Sequence, residues 1–203
     1  PLADAIVQAA RAQQLKLSKP EQFDSGSGIG VSGVVEGRAL ALGNTAFMQQ
    51  NGLSVEPLIE QAESLRSEGA SVIYLAADGH LAGLLAVSDP VKDSTPEALA
   101  SLKAAGLRII MATGDGLTTA NAVGAKLGIN EVHGEVNPAD KLALIERLQN
   151  EGRVVAMAGD GINDAPALAK ADIGIAMGTG TDVAMSSAQI TLVNGALRGI
   201  ATA

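Results

Sequence analysis

The rhythm of apolar and polar positions changes once along this chain, near residues 88–92. Before that point, residues 2–14 (LADAIVQAARAQQ) carry apolar side chains at helical spacing. A polar, turn-rich stretch and a glycine string at 26–33 (GSGIGVSG) follow. Residues 31–42 alternate around Glu36-Gly37 and predict a hairpin. Residues 45–52 predict a short capped helix, and 57–68 an amphipathic helix stopped by Gly69. A second hairpin is predicted from SVIYLAAD, the Asp78-Gly79 turn and HLAGLLAVSD. The first half therefore reads as an antiparallel sheet with helices.

From Thr95 onward, helices and short apolar strands alternate. Thr95-Pro96 starts a helix that Gly106 ends. Strands are predicted at 107–112, 153–158, 173–177 and 190–193, with helices at 117–127, 137–149 and 165–170. That alternation predicts a parallel sheet flanked by helices. The opening Pro1-Leu2-Ala3-Asp4-Ala5 runs into a helical pattern without a cap, as a segment of a longer protein would.

Composition narrows the function classes. Apolar residues make up 47% of the 203 positions and charged ones 18%, which excludes a disordered chain. The net charge of −8 argues against nucleic-acid binding, which needs a basic stripe. No cysteine is present, so there is no disulfide framework. No run reaches the roughly 18 apolar residues that span a bilayer.

Chemistry concentrates in three loops. In an open parallel sheet, ligands bind beyond the C-terminal strand ends. There the first strand runs into Thr113-Gly114-Asp115-Gly116, and the second into Gly159-Asp160-Gly161-Ile162-Asn163-Asp164. The third runs into Gly178-Thr179-Gly180-Thr181-Asp182. Each couples glycine, which lets backbone N–H groups approach an oxyanion, to a hydroxyl or carboxylate. Singly, each is an ordinary turn, and Asp164 or Asp182 could simply cap the next helix. Three at one sheet edge point to a phosphate and a cation. Asp160 and Asp164 are spaced to approach one Mg²⁺, with Asn163 beside them. Lys141 lies in the first turn of a helix, where it opposes the helix dipole. It is a surface lysine unless that turn faces the same edge.

Gly28-Ile29-Gly30-Val31-Ser32-Gly33 matches G-x-G-x-x-G, but a hairpin follows it where a dinucleotide site requires a helix.

The strings GDGINDAPALAKADIGIAMGTGTDVA (159–184), MATGDGLTTANAVGAKLGI (111–129) and NPADKLALIERLQNEG (137–152) resemble the phosphorylation domain of heavy-metal P-type ATPases. These belong to the haloacid dehalogenase-like superfamily. The opening PLADAIVQAA resembles that family's nucleotide-domain helix, and GSGIG with Gly43-Asn44 its ATP pocket. GTGTD after IGIAM resembles copper and silver members more than zinc and cadmium ones. The resemblance covers essentially the whole chain. It implies an α+β nucleotide-binding domain over 1–88 and a Rossmann-like, haloacid-dehalogenase-type parallel-sheet domain over 89–203.

The activity implied is ATP-driven Cu⁺ transport through an aspartyl-phosphate, with ATP and Mg²⁺ as cofactors. Thr113 would hydrogen-bond the phosphoryl group, with Gly114 and Asp115 beside it, and Lys141 would neutralise its charge. Asn163 would join them, and Asp160 and Asp164 would serve Mg²⁺. Gly26, Gly28, Gly43 and Asn44 would line the adenine–ribose end of ATP. The partners implied are an actuator domain and a transmembrane metal path. The resemblance places the chain at the cytoplasmic face of a membrane, soluble in itself. The family's phosphate-accepting D-K-T-G-T string does not occur in the 203 residues, and its adenine-side histidine would precede Pro1. Two other readings are a soluble phosphatase of the same superfamily and a non-catalytic nucleotide-binding module.

Overall fold

The computed structural model describes residues 2–26, 29–88, 90–178, 182–192 and 197–202. The chain divides into two compact units, Pro1–Asp89 and Pro90–Ala203.

In the first unit, α1 (Leu2–Ala12) is followed by three strands, β1 (Glu21–Gly26), β2 (Gly30–Val35) and β3 (Arg38–Gly43). Then come α2 (Thr45–Gln50), a 3₁₀ turn (Glu56–Leu58), α3 (Ile59–Ser67), β4 (Ser71–Ala77) and β5 (His80–Val87). The strands form one antiparallel meander in the order β1-β2-β3-β4-β5. Both predicted hairpins are present. Glu36 and Gly37 have φ of 51° and 78°, and Asp78 and Gly79 have 51° and 76°. Two successive positive-φ residues make the turn whose twist suits a two-residue hairpin. Asp78 also ties the hairpins together, accepting the Ala39 N–H at 2.9 Å and Arg38 Nε at 3.0 Å.

Strand β4 alternates as its sequence predicts, with Val72, Tyr74 and Ala76 turned into the core. Phe47 and Met48 of α2 and Ala62 of α3 join them, which places α2 and α3 on the same face of the sheet. Tyr74 and Met48 are fully buried, and burial of the Met48 side chain stabilises the unit by about 2–3 kcal/mol. Strand β1 was absent from the sequence reading. Its residues, EQFDSG, are polar and mostly exposed, and its pairing with β2 slips between Glu21 and Asp24. A bulged edge strand carries no alternating pattern.

The second unit contains α4 (Thr95–Ala104), β6 (Ile110–Ala112), α5 (Leu117–Leu127), β7 (Glu131–His133) and α6 (Pro138–Asn150). It continues through β8 (Ala156–Gly159), a 3₁₀ turn (Ile162–Asp164), α7 (Ala165–Lys170), β9 (Ile173–Met177), α8 (Asp182–Ser187), β10 (Ile190–Leu192) and α9 (Arg198–Thr202). The strands are parallel, but they form two sheets where the sequence predicts one: β6-β7, and β10-β9-β8. One cluster serves both. Ile145, Leu148, Val155, Ala167 and Ala171 are buried together, with Ile110 of β6 and Met157 of β8 packed against them. Among the described residues, β6 and β8 each keep one edge without a strand partner. Both start later than predicted, leaving Leu107 and Val154 exposed.

Candidate functional site

The strongest cluster of polar interactions lies where β8 ends. Asp164, 7% exposed, closes the 3₁₀ turn after Gly159. Its Oδ1 accepts the Lys141 ammonium at 2.7 Å. Its Oδ2 accepts the backbone N–H groups of Gly161 at 3.0 Å and Asp160 at 3.2 Å. Gly159 makes this possible, since a methyl group there would lie 2.8 Å from the Asp164 carboxylate. Burial opposes the charged carboxylate, but Lys141 and the two amides outweigh it and hold its pKa below the ordinary range.

Lys141 is therefore not a solvated surface lysine. It extends from the first turn of α6, which Asn137 caps by accepting the Ala139 and Asp140 N–H groups at 2.8 and 3.0 Å. Asp140 returns the bond to the Asn137 N–H, closing a capping box that fixes where the helix begins. The segment leading into this cap is bonded to the loop after β6. The Val136 N–H donates to the Thr113 carbonyl at 3.0 Å, and the Glu135 N–H to the Asp115 carbonyl at 2.7 Å. The Thr113 N–H donates to the His133 carbonyl at 2.9 Å. Gly134 lets the segment pass over the start of α5, where a methyl group would come within 2.9 Å of Leu117 Cα. A continuous chain of short-range bonds thus runs from Thr113 through the α6 cap and Lys141 to Asp164 and the 160–161 amides.

Within the first loop, the Thr113 hydroxyl donates to Asp115 Oδ2 at 2.8 Å and accepts the Asp115 N–H at 3.1 Å. Gly114 and Asp115 are exposed. Asn163 is exposed on the 3₁₀ turn, and Asp160 is exposed beside it. Among the described residues, the Asp160 carboxylate accepts no hydrogen bond, and no group of three or more His, Cys, Asp or Glu side chains stands close enough to hold a metal. The two aspartates paired by spacing are thus unequal. Three donors already occupy Asp164, whereas Asp160 has its oxygens open. Mg²⁺ takes one or two carboxylates and completes its octahedron with water and phosphate oxygens, and of this pair Asp160 is the less committed to the fold.

Of the third loop, Thr179, Gly180 and Thr181 lie outside the described residues, and Asp182 begins α8. In the first unit, Gly28 also lies outside them. Gly26 and Gly43 end β1 and β3, and Asn44 caps α2, its Oδ1 accepting the Phe47 N–H at 2.9 Å. Val136 and Gly134, which join the first loop to α6, carry no chemistry that marks them in sequence. The string His133-Gly134-Glu135-Val136 before a capped helix is their only signal.

Glu131 adds a second charged tie. It accepts Arg108 Nη2 at 2.6 Å, and although burial opposes its charged form, Arg108 and His133 hold its pKa below the ordinary range. A lowered native pKa favours the fold above the unfolded-state value of about 4 and loses that contribution as pH falls through the native one. The second unit should therefore hold its melting temperature from pH 7 to about 5 and lose it steeply below about 4, read by circular dichroism. Asp164→Asn should flatten that acid limb.

A family model of haloacid dehalogenase-like hydrolases matches residues 1–172. A copper-exporting P-type ATPase from Legionella pneumophila is 53% identical over 203 residues, all of this chain and 28% of that protein. A silver-exporting P-type ATPase from Salmonella typhimurium is 54% identical over 197 residues, 97% of this chain and 24% of that one. The chain therefore spans about a quarter of the length of these relatives. Among solved structures, a catalytic domain of the CPx-ATPase CopB-B superposes with a TM-score of 0.72 at 30% identity, over 100% of this chain and 71% of that one. A zinc-transporting PIB-type ATPase superposes with a TM-score of 0.67 at 32% identity, over 100% of this chain and 32% of its own. With a capped lysine, a glycine-framed aspartate pair and these relatives in agreement, the chain belongs to the haloacid dehalogenase-like hydrolases, and its kin among them are the catalytic domains of metal-transporting P-type ATPases.

Proposed function

We propose that this chain is the ATP-binding and phosphorylation region of a P-type pump that moves Cu⁺ across a membrane through an aspartyl-phosphate. The observation that carries this reading is the Lys141–Asp164 bond, which couples the α6 start to the 160–161 loop and, through Val136, to Thr113. Copper as cargo is favoured by the names of the copper- and silver-exporting relatives. The unit over 1–88 takes ATP, and the unit over 89–203 takes the phosphate. ATP hydrolysis by a pump places both at the cytoplasmic face, beside an actuator domain and a transmembrane metal path.

Phosphoryl transfer asks a protein mainly for positioning and charge neutralisation. The Thr113 hydroxyl, with Gly114 and Asp115 around it, offers a hydrogen bond to a phosphoryl oxygen. Lys141, held in place by Asp164, offers a fixed positive charge. Asp160, with Asn163 beside it, would hold Mg²⁺. When bound, Mg²⁺ neutralises charge on the transferring group. Asp164 holds the loop and the lysine in register. Gly26, Gly28, Gly43 and Asn44 serve the nucleotide.

The accepting aspartate comes from another segment of the parent, since no Asp-Lys-Thr string occurs in the 203 residues. The partnerless edges of β6 and β8, which share one apolar cluster, support its placement on a parallel strand entered between them. The test is the acid-stable phosphoenzyme. The 203-residue chain should form none from γ-labelled ATP, while the purified whole pump should form one with Mg²⁺ and Cu⁺. A labelled intermediate on the chain alone would place the acceptor within it, and none on the pump would overturn the reading.

A further inference from the structure

Three glycines stand in one row across the first sheet. Gly26 pairs with Gly30, and Gly30 with Gly43. None of the three has a positive φ, so no turn geometry demands glycine there. Space does. The ring of Phe47 lies along the row. A methyl group at Gly26 would touch its Cε2 at 3.4 Å, one at Gly30 would lie 2.5 Å from Cγ, and one at Gly43 would lie 2.5 Å from Cδ1. The ring is 8% exposed.

The same residue is anchored through its backbone. The Phe47 N–H donates to Asn44 Oδ1 at 2.9 Å, the Asn44 N–H to the Ile29 carbonyl at 2.9 Å, and the Ile29 N–H to the Gly26 carbonyl at 3.2 Å. One ring and three hydrogen bonds therefore join Gly26 and Ile29 to the start of α2. Glycine backbone is the most costly to order, and a ring seated on three of them removes that cost before any ligand arrives.

We propose that Phe47 is a positioning residue for the nucleotide, its ring in the glycine row fixing the backbone of Gly26 and Gly43 and, through Asn44, the start of α2. This rests on the nucleotide-binding role given above to Gly26, Gly28, Gly43 and Asn44. Phe47 touches no nucleotide; it acts through the backbone it covers.

The experiment is calorimetric titration of ATP into the full chain. The unaltered protein should bind, and Phe47→Leu should bind at least about tenfold more weakly. Phe47→Met, whose flexible side chain fills irregular gaps, serves if the leucine variant does not fold. Val55→Ala is the comparison, since Val55 is buried in the same core but is not among the atoms nearest a side chain at Gly26, Gly30 or Gly43. It should lower the melting temperature and leave affinity within about twofold. No binding by the unaltered chain would overturn the nucleotide reading itself. Binding by that chain with undiminished affinity in Phe47→Leu, or an equal loss in Val55→Ala, would overturn the role of Phe47 alone.

Discussion

Asp160→Asn in the intact pump is expected to lower Mg²⁺-dependent phosphorylation by about a thousandfold or more, equivalent to about 4 kcal/mol of transition-state stabilisation. The side chain is exposed and accepts no hydrogen bond among the described residues, so nothing in the fold depends on its charge. Stability should shift by no more than about 0.5 kcal/mol, as at other exposed positions. The measurement pairs initial rates of phosphoenzyme formation across a Mg²⁺ series with urea unfolding of the same variant. Phosphorylation at the unaltered rate would remove Asp160 from the site.

Asp164→Ala is expected to act through the fold first. The substitution leaves the Lys141 ammonium and the Asp160 and Gly161 N–H groups without their acceptor in a water-poor position. Losing one partner of a buried charge pair costs the desolvation of the other, so the second unit should lose about 2–4 kcal/mol. Asp164→Asn should fall between, because its amide oxygen can still take an N–H while its NH₂ group repels the ammonium. The midpoint of urea unfolding reads the difference. An alanine variant as stable as the parent would show that the three donors find water without loss. The two variants thus test separately two aspartates that spacing alone joins.

Much of the architecture was legible because local chemistry and tertiary structure agree. The hairpin turns follow from Gly37 and from Asp78-Gly79 set between alternating segments, and the helix over 137–149 is where α6 forms. The bulged, polar strand β1 was not legible, nor was β7, which is three residues long. Neither is long or regular enough to show a period. In the candidate site, residue types were readable but their partners were not. Lys141 reads as a surface residue because helix propensity carries no information about an aspartate 23 positions away. Spacing brings Asp160 and Asp164 together without saying whose oxygens are already spent. Gly43 reads as a ligand-facing glycine, yet on the helix-bearing face its missing side chain leaves room for Phe47.

The partnerless edges of β6 and β8 have a consequence for how such a chain behaves in a cell. An edge displays a ladder of donors and acceptors that any extended polypeptide can match. Exposed Val154 and Leu107, just before these strands, add adhesive surface at the same places. On the reading proposed above, a strand entering between these edges would remove that exposed ladder, so exposure of the second unit to misassembly would depend on when such a strand docks.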